Sequence, residues 1–292
     1  MSCKVTTRAQ KRRMGQRDLW DVIVNNDDVC FEHILPRLNR SDVKFLFEVN
    51  SETRALIKRS SRVGELKKRY IVEEISSIST LEFAWENQSF CSDWVFGEKS
   101  FCSKVARTNK LELLKWLREE KKCPWDEWTI DAAAEQGNLE MVKYCLANEC
   151  PMDESACAFA ARGGYLECLK YLHEEVKAPW DSTTAAWAAE NGHLHILEYL
   201  VERKNNKYNT LACANAAENG HLDCLKFLHE TAKAPWKERA VKYAHVRKQY
   251  ECLQYLLDND CPLPSGWRYE HGTLYTSESE SESESEDIAI IH

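Results

Sequence analysis

Glycine and proline are scarce, ten and seven in 292 residues. So few breakers exclude a collagen-like or linker-rich chain and argue against a sandwich of short strands and tight turns. Long apolar runs are missing too. None approaches the roughly 18 residues that span a bilayer, so no membrane partner is expected. The N-terminal segment holds Lys4, Arg8, Lys11, Arg12, Arg13 and Arg17. It lacks the apolar stretch of about 7–15 residues that an ordinary secretory signal needs. There is no G-x-x-x-x-G-K-[ST], no G-x-G-x-x-G and no H-E-x-x-H, the patterns that cradle phosphates, dinucleotides or catalytic zinc. No cofactor is expected and nothing points to an enzyme. The expected compartment is reducing, cytoplasmic or nuclear. In it the 13 cysteines read as free thiols or metal ligands rather than a disulfide framework.

What is present is charge, unevenly spread. The chain carries a net −8, yet residues 1–70 hold 16 Lys/Arg against nine Asp/Glu. The segment Ser277–Asp287 contributes −6. An acidic main body is a poor surface for a phosphate backbone, so a nucleic-acid partner is not expected. Lys11-Arg12-Arg13 reads either as a solvated, disordered arm or as a weak nuclear address.

A unit of the form A-A-x-x-G-x-L-x-x-L-K-[Y/F]-L recurs, with its Leu anchor at Leu111, Leu139, Leu166, Leu194 and Leu222 and Tyr250 in the sixth copy. The spacings are 28, 27, 28, 28 and 28 residues. A fixed period of this size is the mark of a stacked repeat architecture. Each unit reads as two short helices. The first is Ala-rich, as in Ala185-Ala186-Trp187-Ala188-Ala189. A turn follows at Gly137, Gly164, Gly192 or Gly220, where positive φ is cheap. The second helix is apolar on one face, as at Leu222, Leu225 and Leu228. Its other face carries opposite charges three apart, Glu112/Lys115, Glu140/Lys143, Glu167/Lys170 and Asp223/Lys226, read as solvated surface. A loop closes the unit, as in Cys123-Pro124-Trp125-Asp126, Ala178-Pro179-Trp180-Asp181 and Ala234-Pro235-Trp236.

Ala188-Ala189-Glu190-Asn191-Gly192-His193-Leu194 and Ala216-Ala217-Glu218-Asn219-Gly220-His221-Leu222 resemble the core of ankyrin repeats. The resemblance covers about residues 100–265, and a degenerate half-copy starts near Leu81-Glu82-Phe83-Ala84-Trp85. It implies a curved stack of helix pairs that binds protein partners. Two features depart from the family. The period is 28 rather than 33 residues, and the Thr-Pro-Leu-His tetrapeptide is absent. The missing residues fall where the family builds its projecting finger.

Six copies in one chain permit internal comparison. Ten of the thirteen cysteines stand where other copies have Leu, Met, Ile, Val or Ala. Cys168, Cys224 and Cys252, for example, replace Leu113, Met141 and Ile196. They read as small hydrophobes of the core, and Cys145/Cys150 is the nearest approach to a zinc pair. His193 and His221 sit beside the turn glycines, where ankyrin-like repeats use His to tie neighbouring turns. Trp125, Trp180 and Trp236 share a place with Met152, Tyr208 and Leu263 and read as wedges between copies.

One place changes chemistry from copy to copy. The third residue of the Ala-rich helix is Lys104, Ala132, Phe159, Trp187, Asn215 and Tyr243, flanked by Ser103, Asp131, Ala158, Ala186, Ala214 and Lys242. First helices line the concave face of such a stack. Asp131, Phe159, Trp187, Asn215 and Tyr243 are therefore the candidate protein-binding residues. The other reading is that the rings fill gaps left by the alanines.

Residues 29–60 read as helix, turn, helix, with Ser41 or Asp42 capping the second. The pattern Ile34-Leu35-x-x-Leu38 … Asp42-Val43-x-x-Leu46-x-x-Val49-Asn50 resembles the first half of an F-box. That resemblance implies docking of a Skp-type adaptor of a cullin ubiquitin ligase through Leu35, Leu38, Val43, Leu46 and Val49, with the repeats holding the substrate. The Leu-Pro pair usual at the motif's start and a Trp in its second half are missing. The alternative is a helical cap for the repeat stack. At the other end, Ser277, Ser279, Ser281 and Ser283 each have an acid three residues on, the pattern preferred by casein-kinase-2-type kinases. Ile288-Ala289-Ile290-Ile291 follows and resembles a SUMO-interacting motif, implying contact through Ile288, Ile290 and Ile291. The plainer reading is a solubilising acidic tail.

The expected fold is all-α: an ankyrin-like helical-pair solenoid with a helical N-terminal cap and a disordered acidic tail. The expected organisation is a basic arm over 1–17, an F-box-like module over 18–78, repeats over 79–265 and the tail over 266–292. The expected function is a protein–protein adaptor, in one reading a ubiquitin-ligase substrate receptor and in the other a scaffold whose N-terminal helices only cap the repeats.

Overall fold

In the computed structural model the described residues are 29–49, 51–67, 71–86, 98–203 and 208–276. They are helical almost throughout, and the chain divides into two compact units, residues 1–123 and 124–292.

In the first unit a wide helical turn, Val29–Ile34, runs into a short Leu35–Arg37 turn in which Pro36 stops further helix. Helix α1 (Arg40–Val49) follows, then α2 (Ser51–Arg59), α3 (Ile78–Glu86), α4 (Glu98–Arg107) and α5 (Leu111–Glu119). The expected cap is corrected. Asn39 caps α1 by accepting from the Asp42 amide at 2.8 Å, while the Asp42 carboxylate accepts from Ser76 Oγ at 2.8 Å. Leu35, Val43 and Ile57 form a small core with Phe31, Leu38 and Phe47 packed against it. Arg62 locks the bend by donating to the carbonyls of Leu35 and Leu38 and pairing with Glu65 at 2.7 Å.

The first helix pair, α4 and α5, groups with the N-terminal helices. Lys104 pairs with Glu73 at 2.9 Å, Lys110 Nζ donates to the Ser76 carbonyl at 3.1 Å, and the rings of Trp85 and Phe101 meet edge to face at 5.6 Å.

The second unit repeats one motif five times. The first helices are α6 (Glu127–Glu135), α8 (Ser155–Gly163), α10 (Ser182–Glu190), α12 (Thr210–Glu218) and α14 (Glu238–Val246). The second helices are α7 (Leu139–Ala147), α9 (Leu166–Lys170, continued as a wider turn to Glu175), α11 (Leu194–Glu202), α13 (Leu222–Glu230) and α15 (Tyr250–Asp258). Short polar caps start several of them: Asn138 accepts from Met141 N at 2.9 Å, Asp181 from Thr183 N at 2.8 Å, and Asn209 from Leu211 N at 3.0 Å. First helices pack side by side, each on the next. Their alanines make that possible: Ala156, Ala158, Ala160, Ala161, Ala185, Ala186, Ala188 and Ala189 are all buried. Each second helix covers them with its apolar edge, as Ile196, Leu197 and Leu200 do in α11.

The cysteines sit in this core. All eleven described ones are buried and none forms a disulfide. Burial pushes the thiols of Cys157, Cys213 and Cys261 up to about 12 and those of Cys168, Cys224 and Cys252 to about 11. Cys145 and Cys150 do lie together: the Cys145 side chain hydrogen-bonds Cys150 and, with burial, raises its thiol.

One expectation fails at the end of the repeats. Residues 266–276, assigned to the tail, are ordered around a hairpin of β1 (Arg268–Glu270) and β2 (Thr273–Tyr275), with Glu270 opposite Thr273. His271 and Gly272 turn it, both with positive φ, 54° and 81°, as a two-residue hairpin loop requires. Trp267 packs edge to face on His245 of α14 at 5.0 Å, and Gln254 of α15 donates to the Tyr269 hydroxyl at 3.3 Å. These anchors hold the strands in place.

Candidate partner-binding face

Two features fix the geometry of the repeat surface. The first is a ladder at the turns. Gly164 adopts φ 77°, and a Cβ there would lie 2.6 Å from the ring of His193 in the next repeat. Gly192, φ 74°, stands in the same relation to His221. Each imidazole spans back to the preceding repeat: His193 Nε2 lies 3.0 Å from the Arg162 carbonyl and His221 Nε2 3.1 Å from that of Glu190. Tyr165 and Gln249 occupy the equivalent places over Gly137 and Gly220. The histidines tie turns together, as expected, and desolvation lowers the His193 pKa.

The second feature is a wedge between second helices. Trp180 stacks flat on His173 (3.5 Å between centroids, 9°) and meets Tyr199 of the next repeat at 6.0 Å. Trp236 does the same with His229 at 3.7 Å and Tyr255 at 6.3 Å. The Tyr199 hydroxyl donates to Glu174 at 2.9 Å, and that bond first, with Arg203 behind it, holds the Glu174 carboxyl below its ordinary range. An open cleft of about 590 Å³ lies here, lined by His173, Glu174, Lys177, Pro179, Trp180 and Arg203. Its polar groups already serve each other. Among the described residues no three His, Cys, Asp or Glu side chains converge as a metal site requires.

The first-helix face differs. Trp128 on α6 is 54% exposed. Its ring meets Phe159 of α8 at 6.4 Å, and Phe159 meets Trp187 of α10 at 4.9 Å, both edge to face. Three consecutive first helices thus carry one row of rings. Arg162 lies 5.6 Å over Trp187 and pairs with Glu135 at 3.3 Å. Asn215 of α12 donates to Glu190 at 3.1 Å, and Arg247 pairs with Glu218 at 3.0 Å. Beyond them Leu211 is 36% and Val246 63% exposed, and Arg239 lies 5.4 Å over Tyr243. Glu135, Glu190 and Glu218 are therefore each engaged by the following repeat, and apolar surface is left beside them to meet solvent.

The candidate residues divide. Trp187, Asn215 and Tyr243 reach the surface, half-buried. Phe159 is 6% exposed and acts as the bridge between two tryptophans. Asp131 is corrected: at 2% exposure it lies in the core of α6, because its place on the helix faces the next repeat, where the later copies have Ala158, Ala186 and Ala214. Trp128 was not singled out from the sequence. It stands four residues before the compared place, where the other copies have Ser100, Ser155, Thr183, Leu211 and Arg239, and a lone Trp in that series was the available signal.

The N-terminal candidates are corrected in part. Leu35 and Val43 are buried in the unit's own core, so they present nothing to an adaptor. Leu38 and Leu46 are half-buried and Val49 is 49% exposed. Ile288, Ile290 and Ile291 lie outside the described residues, as do the arm at 1–17 and the acidic tail from Ser277.

A family model described as ankyrin repeats (3 copies) matches residues 130–210 and, overlapping, residues 185–264. No curated protein matches the chain. Over this stretch the chain is similar to ankyrin repeats, which are general protein–protein interaction modules. No described helix is long and apolar enough to cross a membrane.

Proposed function

We propose that the protein is an adaptor that holds a protein partner on the first-helix face, with Trp128 and Trp187 as anchors and Leu211, Tyr243 and Val246 as the flank. The observation that carries this reading is the row Trp128–Phe159–Trp187, with a tryptophan more than half exposed beside charges already engaged within the repeats. Exposed aromatic side chains of this kind dominate the energetics of interfaces. The test is quantitative capture from the native cell with wild type and with Trp128→Ala/Trp187→Ala. A specific partner should fall at least tenfold in the variant while its melting temperature stays within a few degrees. Undiminished capture would overturn the reading.

For the N-terminal helices the capping role is the better supported of the two. Leu35 and Val43 serve the local core, and Lys104 and Lys110 tie the first helix pair to it. Docking of a Skp-type adaptor rests on Leu46 and Val49, and Val49→Asp checks it: co-purification of such an adaptor with wild type and its loss in the variant would restore the ubiquitin-ligase role. SUMO binding by Ile288, Ile290 and Ile291 is tested by titrating a peptide of residues 277–292.

A further inference from the structure

The last repeat is unlike the others in charge. Between Lys237 and Lys248 stand five cations, Lys237, Arg239, Lys242, Arg247 and Lys248, against the single acid Glu238. All six of these side chains are exposed. The other described first helices of this unit, α6, α8, α10 and α12, carry one cation among them, Arg162. Lys242 occupies the place that is buried as Asp131, Ala158, Ala186 and Ala214 in earlier copies. It is exposed because, among the described residues, no further first helix packs on α14. Arg247 is engaged by Glu218 and Arg239 lies over Tyr243, while Lys237, Lys242 and Lys248 make no salt bridge among the described residues. The acids of the neighbouring helix, Glu251 and Asp258, belong to α15.

We propose that this basic surface of α14 docks the chain's own acidic segment, Ser277–Asp287. Three observations select that occupant. The segment contributes −6 within a chain of net −8, so this end of the repeats is the favourable place for it within a screening length of about 8–10 Å. The chain leaves the described residues at Thr276, directly after a hairpin that Trp267 fastens to His245 of α14. Eleven extended residues reach about 35–40 Å, more than twice the ~14 Å length of a nine-residue helix. Docking there covers Tyr243 and Val246, one end of the aromatic face. Phosphorylation of Ser277, Ser279, Ser281 or Ser283 adds about −1.5 to −2 charges each and strengthens the contact.

Zero-length carbodiimide cross-linking of the full chain, with products mapped in the monomeric fraction, tests this. Glu278–Glu286 should join Lys237, Lys242 and Lys248 at least tenfold more than Lys143, Lys170 and Lys226, and 0.5 M salt should abolish the preference. In Lys242→Glu/Lys248→Glu, two exposed changes that leave melting unaltered, the yield at the retained Lys237 should also fall severalfold. An unchanged yield at Lys237 means mere nearness of the tail and overturns the proposal. So does an even spread over all lysines, or cross-links found only between chains.

Discussion

At the scale of single residues, each turn is shared by a glycine and a side chain of the next repeat. Gly192→Ala forces alanine into a left-handed conformation, which costs about 1–2 kcal/mol, and drives its Cβ into His221. Urea unfolding should show a loss of about 2 kcal/mol or more. Gly192→Ala with His221→Ala should be less damaging than the two changes summed, because the steric part of the loss requires both groups. His193 gives a pH dependence. Its folded pKa lies below the ordinary ~6.5 because burial disfavours the charged ring. The neutral form is favoured in the fold, so the stabilisation is complete above the unfolded value and is lost as pH falls below about 6.5 toward the folded one. Stability measured from pH 7.5 to 5.5 should fall, and His193→Gln should flatten the slope. The raised, buried thiols should react slowly with a disulfide reagent in the native state, at rates that follow unfolding, and rapidly in guanidinium.

At the scale of elements, the wedge decides how well one repeat holds the next. Trp180 is 8% exposed and sandwiched between His173 and Tyr199. Trp180→Ala should cost about 3 kcal/mol or more, and Trp236→Ala less, since that ring is only half-buried. Chemical denaturation of the two variants checks the order. The helix pairs themselves were legible because the period presents the constrained places again and again: glycine at four of the six turns, alanine between first helices, leucine or cysteine beneath the second. The same comparison hid what does not repeat. The hairpin at 268–275 has no second copy to align with, and its His271-Gly272 turn is visible only to a reader looking for strands. Asp131 misled because a carboxylate in a variable series suggests exposure, whereas the helix places it against the neighbour. A doubled period also went unread. Copies with His173 or His229 have Trp180 or Trp236 in the loop, while those with Leu146, Val201 or Leu257 have Met152, Tyr208 or Leu263. In the first copy Arg118 stands with Trp125, so a cation or an imidazole accompanies each loop Trp and the two places alternate together.

At the scale of the whole molecule, the core and the proposed partner face have separate chemistry. Alanines and cysteines let the helices approach, and the rings of Trp128 and Trp187 are left at the surface with the buried Phe159 bridging them. Engaging Glu135, Glu190 and Glu218 within the repeats leaves little net field along that row. Partner affinity should accordingly weaken only a fewfold between about 50 and 500 mM salt, the weak dependence expected where apolar burial outweighs screened charge. The most direct measurement is hydrogen exchange on the protein with and without its captured partner. Protection concentrated on α6, α8 and α10, around Trp128, Phe159 and Trp187, is the predicted result. Protection confined to the second helices α7, α9 and α11, or none in the repeats at all, would contradict the account.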